Sequence, residues 1–327
     1  MGIKNLNRYL QDNCPESIRC INVSDLTGKK IAIDISIYLY KYETENALLE
    51  NIYLMLSIFR QYQIIPIFIF DGKPPPEKKE LLQKRRDDKE LAKKEYELLN
   101  NRIKDDDINY EDKLEIVSTM DQLKRQFVYM GKHKIEKVKE LIRAYGATYY
   151  DAPGEADELC AMLVIKKKVW ACLSEDMDLF VYGCTRVLRY FSLVNHNVVL
   201  YYMKGILDEL NMTQNEFKEI CVLSGTDYNM SANGKNETKN INLYQTIKYF
   251  RKYQNKNKDL NNTFYNWLSN DTNYITDYEL LIKINDMFNI LNECKLDVFK
   301  KIKIINGPIN QSLIKEIMME EDFIFLD

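Results

Sequence analysis

The chain has 327 residues, 46% apolar and 29% charged, with a formal net charge of −3. That balance suits one large or two medium domains with ample core, and it excludes wholesale disorder and a uniformly basic nucleic-acid coat. Only two histidines, His133 and His196, are present, so zinc hydrolysis and Ser–His triads have little to work with, and any hydrolytic chemistry must rest on carboxylates holding Mg²⁺ or Mn²⁺.

The opening Met1-Gly-Ile-Lys-Asn-Leu6 lacks both the apolar core of a signal peptide and the Ser or Thr of a myristoylation motif. No run of about 18 apolar residues predicts a membrane span. The first 28 residues read as a short helical opening. Ile31-Ala-Ile-Asp-Ile35 is a compact strand carrying Asp34, and a helix is expected over Ala47 to Tyr62 from the spacing of Leu48, Ile52, Met55, Leu56 and Phe59. Ile64 to Phe70 is a second apolar strand, ending in Asp71-Gly72. Continuously apolar strands separated by helices predict a parallel sheet covered on both faces, with its site beyond the carboxyl ends of the strands.

After Lys73-Pro-Pro-Pro76 the composition turns charged and helix-favouring. Glu77 to Lys104 holds ten basic residues against seven acids, a local excess of +3 that a solvated helix with i,i+4 pairs would also explain. Asp105-Asp-Asp107 breaks this helix, and a second is expected over Glu111 to Met130, so residues 73–131 read as an excursion from the core. The core resumes with a helix over Ile135 to Tyr145 and a short strand at Ala147 to Tyr150. Glu155 and Asp157 open a helix, where acids also favour the helix dipole by roughly 0.3–1 kcal/mol. Val169-Trp-Ala-Cys-Leu173 is a buried strand followed by Glu175, Asp176 and Asp178; if the strand pattern continued, the last two would share a side. Two strands over 187–191 and 198–202 and helices to Leu223 lead to Asp227. The seven cysteines, an odd number without a Cys-x-x-Cys pair, fit reduced thiols in an intracellular compartment.

Asp34, Asp71, Glu155, Asp157, Asp176, Asp178 and Asp227 therefore sit at strand ends, helix starts and a helix end that a parallel sheet would bring to one edge. Seven carboxylates cannot all ionise together without cations, and the grouping predicts two divalent metals about 4 Å apart, the arrangement that phosphodiester hydrolysis needs.

The chain also resembles the flap endonucleases, structure-specific 5′ nucleases of the XPG superfamily. The resemblance rests on Met1-Gly-Ile, Ala32-Ile-Asp34-Ile-Ser36, Phe70-Asp71-Gly-Lys-Pro-Pro75, Ala152-Pro-Gly-Glu155-Ala-Asp157, Glu175-Asp176-Met-Asp178 and Leu223-Ser-Gly-Thr-Asp227-Tyr228, in that order. It covers about residues 1–228 and implies an α/β fold: a PIN-like parallel sheet core flanked by helices, a helical arch insertion at 73–131 and a mostly helical region over 229–327. It implies Mg²⁺ as cofactor, two ions that Mn²⁺ can replace, with Asp34, Asp71, Glu155 and Asp157 serving one and Asp176, Asp178 and Asp227 the other. Lys78 and Arg85 match the arch residues that hold the scissile phosphate, and seven residues apart they would share a helix face. Tyr40 matches a base-stacking aromatic, with core packing as its alternative. Gly2, Lys84 and Arg86 fall where DNA contacts are expected.

The implied partner is DNA with a 5′ flap, nick or free 5′ end, met by a monomer at a site of replication or repair, in the nucleus or an equivalent compartment. A 5′→3′ exonuclease of the same superfamily and a DNA-binding scaffold without catalysis are the alternatives. The pattern departs in one place. Met230 to Thr238 has a single glycine, Gly234, where the family carries a glycine-rich helix–two-turn–helix that grips duplex DNA and binds K⁺, so that site is expected to be absent or distorted; Lys235 and Lys239 there are candidate phosphate contacts. Gln311 to Met318 lacks the aromatic pair of a sliding-clamp peptide.

Overall fold

Two short parallel strands set the frame. In a computed structural model of the chain, β2 (Lys30–Asp34) and β3 (Ile65–Phe70) lie side by side, with Asp34 in register with Ile69. The structure describes residues 3–103, 110–228, 241–256, 263–275, 277–290, 302–320 and 323–325. Gly2, Asp105 to Asp107, Lys235 and Lys239, and with them the whole segment from Met230 to Thr238, lie outside the described residues.

Both strands belong to a seven-stranded sheet of order β1-β7-β6-β5-β2-β3-β4, where β1 is Ile18–Asn22, β4 Thr148–Asp151, β5 Ala171–Leu173, β6 Arg186–Ser192 and β7 Asn197–Tyr202. Strands β2 to β6 run parallel, but β7 is antiparallel to both β6 and β1. The expected parallel core is present in β2 to β6, and the sheet as a whole is mixed because β6 and β7 are joined by a hairpin and not by a helical crossover. The helical reading of the first 28 residues is corrected. Helix α1 (Leu6–Asn13) is followed by β1, an edge strand that pairs with β7 far along the chain.

Both faces of the sheet are covered, which explains the unbroken apolar strands. Ile31, Ile33, Phe68, Phe70, Ala171 and Leu173 face one apolar cluster, built with helices α2 (Ile35–Thr44) and α3 (Leu48–Gln61). The alternate residues Ala32, Ile67, Ile69 and Cys172 face the other. That second cluster continues without a break into the helices Leu243–Lys256, Phe264–Asp271 and Tyr278–Met287, through Phe217, Cys221, Phe250, Phe264 and Trp267. The last helix, Gln311–Met319, buries Ile314, Ile317 and Met318 in the first cluster. Its approach is tight: Gly146 has φ +71°, and a Cβ there would lie 2.5 Å from the Gly307 carbonyl, so the crossing needs glycine.

Between β3 and β4 the chain leaves the core through α4 (Lys79–Arg102) and returns through α5 (Tyr110–Gln126) and α6 (Lys132–Ala144). Helix α4 has 24 residues, about 36 Å, of which only Leu81 and Ala92 are buried. It packs on α5, and the Tyr96 and Phe127 rings meet edge to face at 5.4 Å. No helix among the described residues is long and apolar enough to cross a membrane, and the described cysteines are free thiols.

Candidate active site

From β2 the chain moves outward to β3 and β4, then returns across the sheet to β5 on the other side of β2. Such a reversal leaves a crevice at the carboxyl ends of the strands on either side of the switch, because the crossovers diverge there. Asp34 ends β2, Asp71 follows β3, and Ser174 to Asp178 follow β5. The crevice therefore collects acids by topology.

Each acid is held by a local device. Asp34 is buried and accepts a hydrogen bond from Ser174 Oγ at 2.8 Å. Asp71 accepts from Ser36 Oγ at 2.5 Å and from the Ala156 amide at 2.8 Å, which docks the start of α7 (Ala156–Ile165) onto the end of β3. Gly72 permits that contact, since a Cβ there would lie 1.9 Å from the Ala152 carbonyl. Glu155 precedes α7 and Asp157 lies in its first turn. Asp227 follows α9 (Gln214–Ser224), which ends at Gly225 with φ +112°.

The relation between Asp176 and Asp178 differs from the expected one. Strand β5 stops at Leu173, and Asp178 begins a four-residue helix, α8 (Asp178–Val181). The pair is joined by a turn: the Asp178 amide donates to Asp176 Oδ1 at 3.0 Å, and the Asp176 amide donates to Ser174 Oγ at 3.1 Å. A three-residue strand is too short to carry the alternation five residues further.

Four of the seven carboxyls, Asp34, Asp157, Asp176 and Asp178, are pushed upward. Burial pushes Asp34 up to about 7, and Asp71 and then Asp176 push the same way. Asp157 and Asp178 are raised well above the usual carboxylate range, first by burial and then by Asp176. Glu155 acts on both, and Asp227 on Asp178. Asp176 is also raised, with burial the main cause. Asp178 is the least satisfied: it is 1% exposed and neither carboxylate oxygen has a hydrogen-bond partner. A buried carboxylate with no donor is costly and marks a place where a cation fits. An all-oxygen set such as this suits Mg²⁺ or Mn²⁺. Among the described residues, no three acidic, histidine or cysteine side chains already close on one point tightly enough to hold an ion.

The arch supplies the positive charge. Lys78 lies in a short 3-10 turn, Pro76–Lys78, that leads into α4, so it and Arg85 do not share one continuous helix face. They still converge on Asp227: Arg85 donates to its Oδ2 at 3.0 Å, and Lys78 Nζ is 3.6 Å from the same oxygen. Lys78 also donates to Glu155, as does the Tyr228 hydroxyl, and the ammonium stands 5.3 Å from the Tyr228 ring centroid. At 6% exposure Lys78 is no solvated surface lysine. Burial alone would lower its pKa, but Glu155, Asp157 and Asp227 outweigh it and keep the group charged.

Beside this cluster, under the arch, is a cavity of about 600 Å³. Tyr40 lines it and is 46% exposed, which removes core packing as its explanation. Lys89 sits 5.1 Å above its ring. Arg86 also lines the cavity, whereas Lys84 is exposed outside it. Sequence reasoning missed Ser174, Lys89 and Arg125. Lys89 could have been found four residues beyond Arg85 on α4; Arg125 comes from the other arch helix, and no local spacing announces it.

Comparison with known proteins gives a consistent result. The XPG N-terminal domain matches residues 1–92 and the XPG I-region residues 146–227. Flap endonuclease 1 of Glossina morsitans morsitans is 31% identical over 268 residues, 76% of this chain and 67% of the relative. The Aedes aegypti enzyme of the same name gives the same identity and coverage. The chain thus spans about two thirds of the length of these relatives. Among solved structures, the catalytic core of Rad2 in complex with DNA substrate superposes with a TM-score of 0.63 at 19% identity, covering 94% of this chain and 93% of that one. Flap endonuclease-1 from Methanococcus jannaschii gives 0.55 at 21% identity, covering 92% and 94%. The likeness to these structures concerns the fold. Taken with the two domain matches and the curated relatives, it places the chain in the XPG superfamily of flap endonuclease-like nucleases.

Proposed function

We propose that the chain is a metal-dependent, structure-specific 5′ nuclease that hydrolyses phosphodiesters in flapped, gapped or nicked DNA. The observation that carries this reading is Asp178, a buried carboxylate without a partner, whose charge is opposed by burial and then by Asp176 and Asp227 beside it. Asp34, Asp71, Glu155 and Asp157 would hold one divalent ion and Asp176, Asp178 and Asp227 a second. Mg²⁺ there, replaceable by Mn²⁺, would supply an activated water and stabilise the leaving oxygen. Residues 1–228 act as the nuclease core with 73–131 as its arch, and 229–327 as a helical region packed against it. The protein works as a monomer where DNA is replicated or repaired.

The chain's own cations do the positioning. Lys78 and Arg85 project from the arch to the edge of the acidic group, where both engage Asp227. A phosphate entering between arch and sheet exchanges that carboxylate for its own oxygens. The cations then hold the reacting bond against Glu155 and Asp227, where a fixed positive charge is worth most in the transition state. Tyr40, half exposed beside them, offers a face for the adjoining base.

The test is cleavage of an end-labelled 5′ flap beside a blunt duplex, with Mg²⁺ and with EDTA. Cutting at the flap base in Mg²⁺ alone is expected, and Asp34→Ala and Asp176→Ala should abolish it while binding in Ca²⁺ persists. Stepwise release of mononucleotides from the blunt duplex in preference to the flap would favour the exonuclease instead. Wild-type rates in both variants would overturn the metal assignment.

A further inference from the structure

Glu175 stands between Ser174 and Asp176, yet it takes no part in the acidic group. Its neighbours turn toward that group through the Ser174–Asp34, Asp176–Ser174 and Asp178–Asp176 hydrogen bonds. Glu175 turns the other way and meets Arg189 of β6. Its Oε2 lies 3.3 Å from Arg189 Nε, its carbonyl accepts from Arg189 Nη2 at 3.1 Å, and its Oε1 accepts the Tyr190 amide at 2.5 Å. Two hydrogen bonds and one ion pair, the last without hydrogen-bond geometry, hold its backbone as well as its side chain.

The far side of Arg189 is equally occupied. Its Nη1 donates to Asn7 Oδ1 on α1, an oxygen that also accepts the Tyr201 hydroxyl at 2.8 Å. Asn7 Nδ2 in turn donates to the Tyr190 hydroxyl at 2.9 Å. Arg189 is 5% exposed, and its guanidinium lies 4.8 Å from the Tyr190 ring centroid and 5.5 Å from that of Tyr201. The backbone is bent to make this possible. Tyr190 has φ +58°, a conformation rare for a bulky aromatic, where the β6–β7 register shifts between Arg189 and Ser192. An outlier of this kind persists only where its surroundings over-determine it, and such outliers gather beside functional sites.

We infer that Asn7, Arg189 and Glu175 form a positioning clamp that sets the loop bearing Asp176 and Asp178 from behind, so that α1 and the β6 bulge control how well the site binds a divalent ion. This rests on the proposed metal-dependent reading. The physical ground is general: ligand carboxylates need a second layer of contacts to hold their orientation, and losing that layer typically costs about 10- to 100-fold in metal affinity. Ser174 restrains the loop from the sheet side only. Without the clamp, the turn that joins Asp176 to Asp178 can rotate about its own backbone.

The experiment is calorimetric titration of the full chain with Mn²⁺ in the absence of DNA, beside thermal unfolding in EDTA. Glu175→Ala and Arg189→Ala should weaken Mn²⁺ binding about tenfold or more. Glu175→Gln keeps an oxygen for the Tyr190 amide and should recover part of that loss. Asn7→Ala should give a smaller loss in the same direction, and it and Glu175→Gln keep the test open should Arg189→Ala fail to fold. Lower melting temperatures with wild-type Mn²⁺ affinity in these variants would make the network merely structural and overturn the inference. Asp176→Ala is the control. If Mn²⁺ binds it as tightly as wild type, the metal site itself is misplaced; if it loses binding while Glu175→Ala does not, the clamp alone is wrong.

Discussion

Asp178→Asn separates what the acidic group costs the fold from what it does. In the wild type, Asp178 is 1% exposed, neither oxygen has a donor, and Asp176 and Asp227 press on its charge. Asparagine has nearly the same shape without the charge. Leaving a buried polar group unsatisfied costs about 1–3 kcal/mol, more for a charged group. Asparagine keeps a polar group there and relieves only the excess due to the charge, about 1–2 kcal/mol; in domains of 150–250 residues 1 kcal/mol moves the melting temperature by about 2–4 °C, so in EDTA the variant should melt roughly 2–8 °C higher than the wild type. Divalent ions should reverse the order. A ligand at 100 times its Kd stabilises the folded state by about 2.7 kcal/mol, and the variant, which loses a ligand of the second ion, should gain less than the wild type in Mn²⁺. Circular dichroism melts in EDTA and in millimolar Mn²⁺ read both effects. A variant that melts lower than wild type in EDTA would mean that the carboxylate is satisfied after all. Equal protection of both proteins by Mn²⁺ would place the ion elsewhere.

Lys78→Ala and Arg85→Ala should lower the single-turnover cleavage rate about 10²–10³-fold, the loss expected for a transition-state donor, with much smaller changes in DNA affinity; equal losses in rate and affinity would make them ordinary backbone contacts. Tyr40→Ala should weaken flap engagement by about 1–3 kcal/mol in a fluorescence binding assay while Tyr40→Phe keeps it, because stacking needs the ring and not the hydroxyl; equal defects would point to the hydroxyl instead. Glu219, on α9, is held up at about 7 by burial and then by Glu216, against Lys218. Its folded pKa exceeds the unfolded value of about 4.3, so its contribution to stability is fully present below about pH 4.3 and is lost as pH rises through about 7. Glu219→Gln should therefore gain about 1–3 kcal/mol over wild type in urea unfolding at pH 8 and almost nothing at pH 4; the same difference at both pH values would refute the assignment.

The parts of the site that were legible share one physical cause. A strand buried on both faces must be apolar throughout, so the first charged residue after it marks the sheet edge, and Asp34 and Asp71 could be placed from that rule alone. What stayed hidden depended on partners distant in the chain. Strand β1 exposes most of its residues and is a strand only because β7, some 180 positions later, pairs with it. The turn between Asp176 and Asp178 follows from β5 ending at Leu173, and Val169 and Trp170 gave no sign that only Ala171–Leu173 would pair. Arg189 meets Glu175 through adjoining strands and a bulge. No periodicity along one strand encodes such a meeting.

The net charge, which spoke against a coat of basic residues, is compatible with DNA binding once its placement is considered. Lys and Arg total 46 and Asp and Glu 49, so leaving the seven site acids out of the count turns a net −3 into a net +4. The seven acids of the crevice thus outweigh the net negative charge of the whole chain, and Lys78 and Arg85 are drawn into its edge. The same acids that would repel a phosphate are the ones arranged to take divalent cations. Under the proposed reading, two bound ions bring the whole chain to a net +1. DNA affinity should therefore rise with divalent ion occupancy more steeply than with the same ionic strength of Na⁺, since simple screening only weakens phosphate contacts.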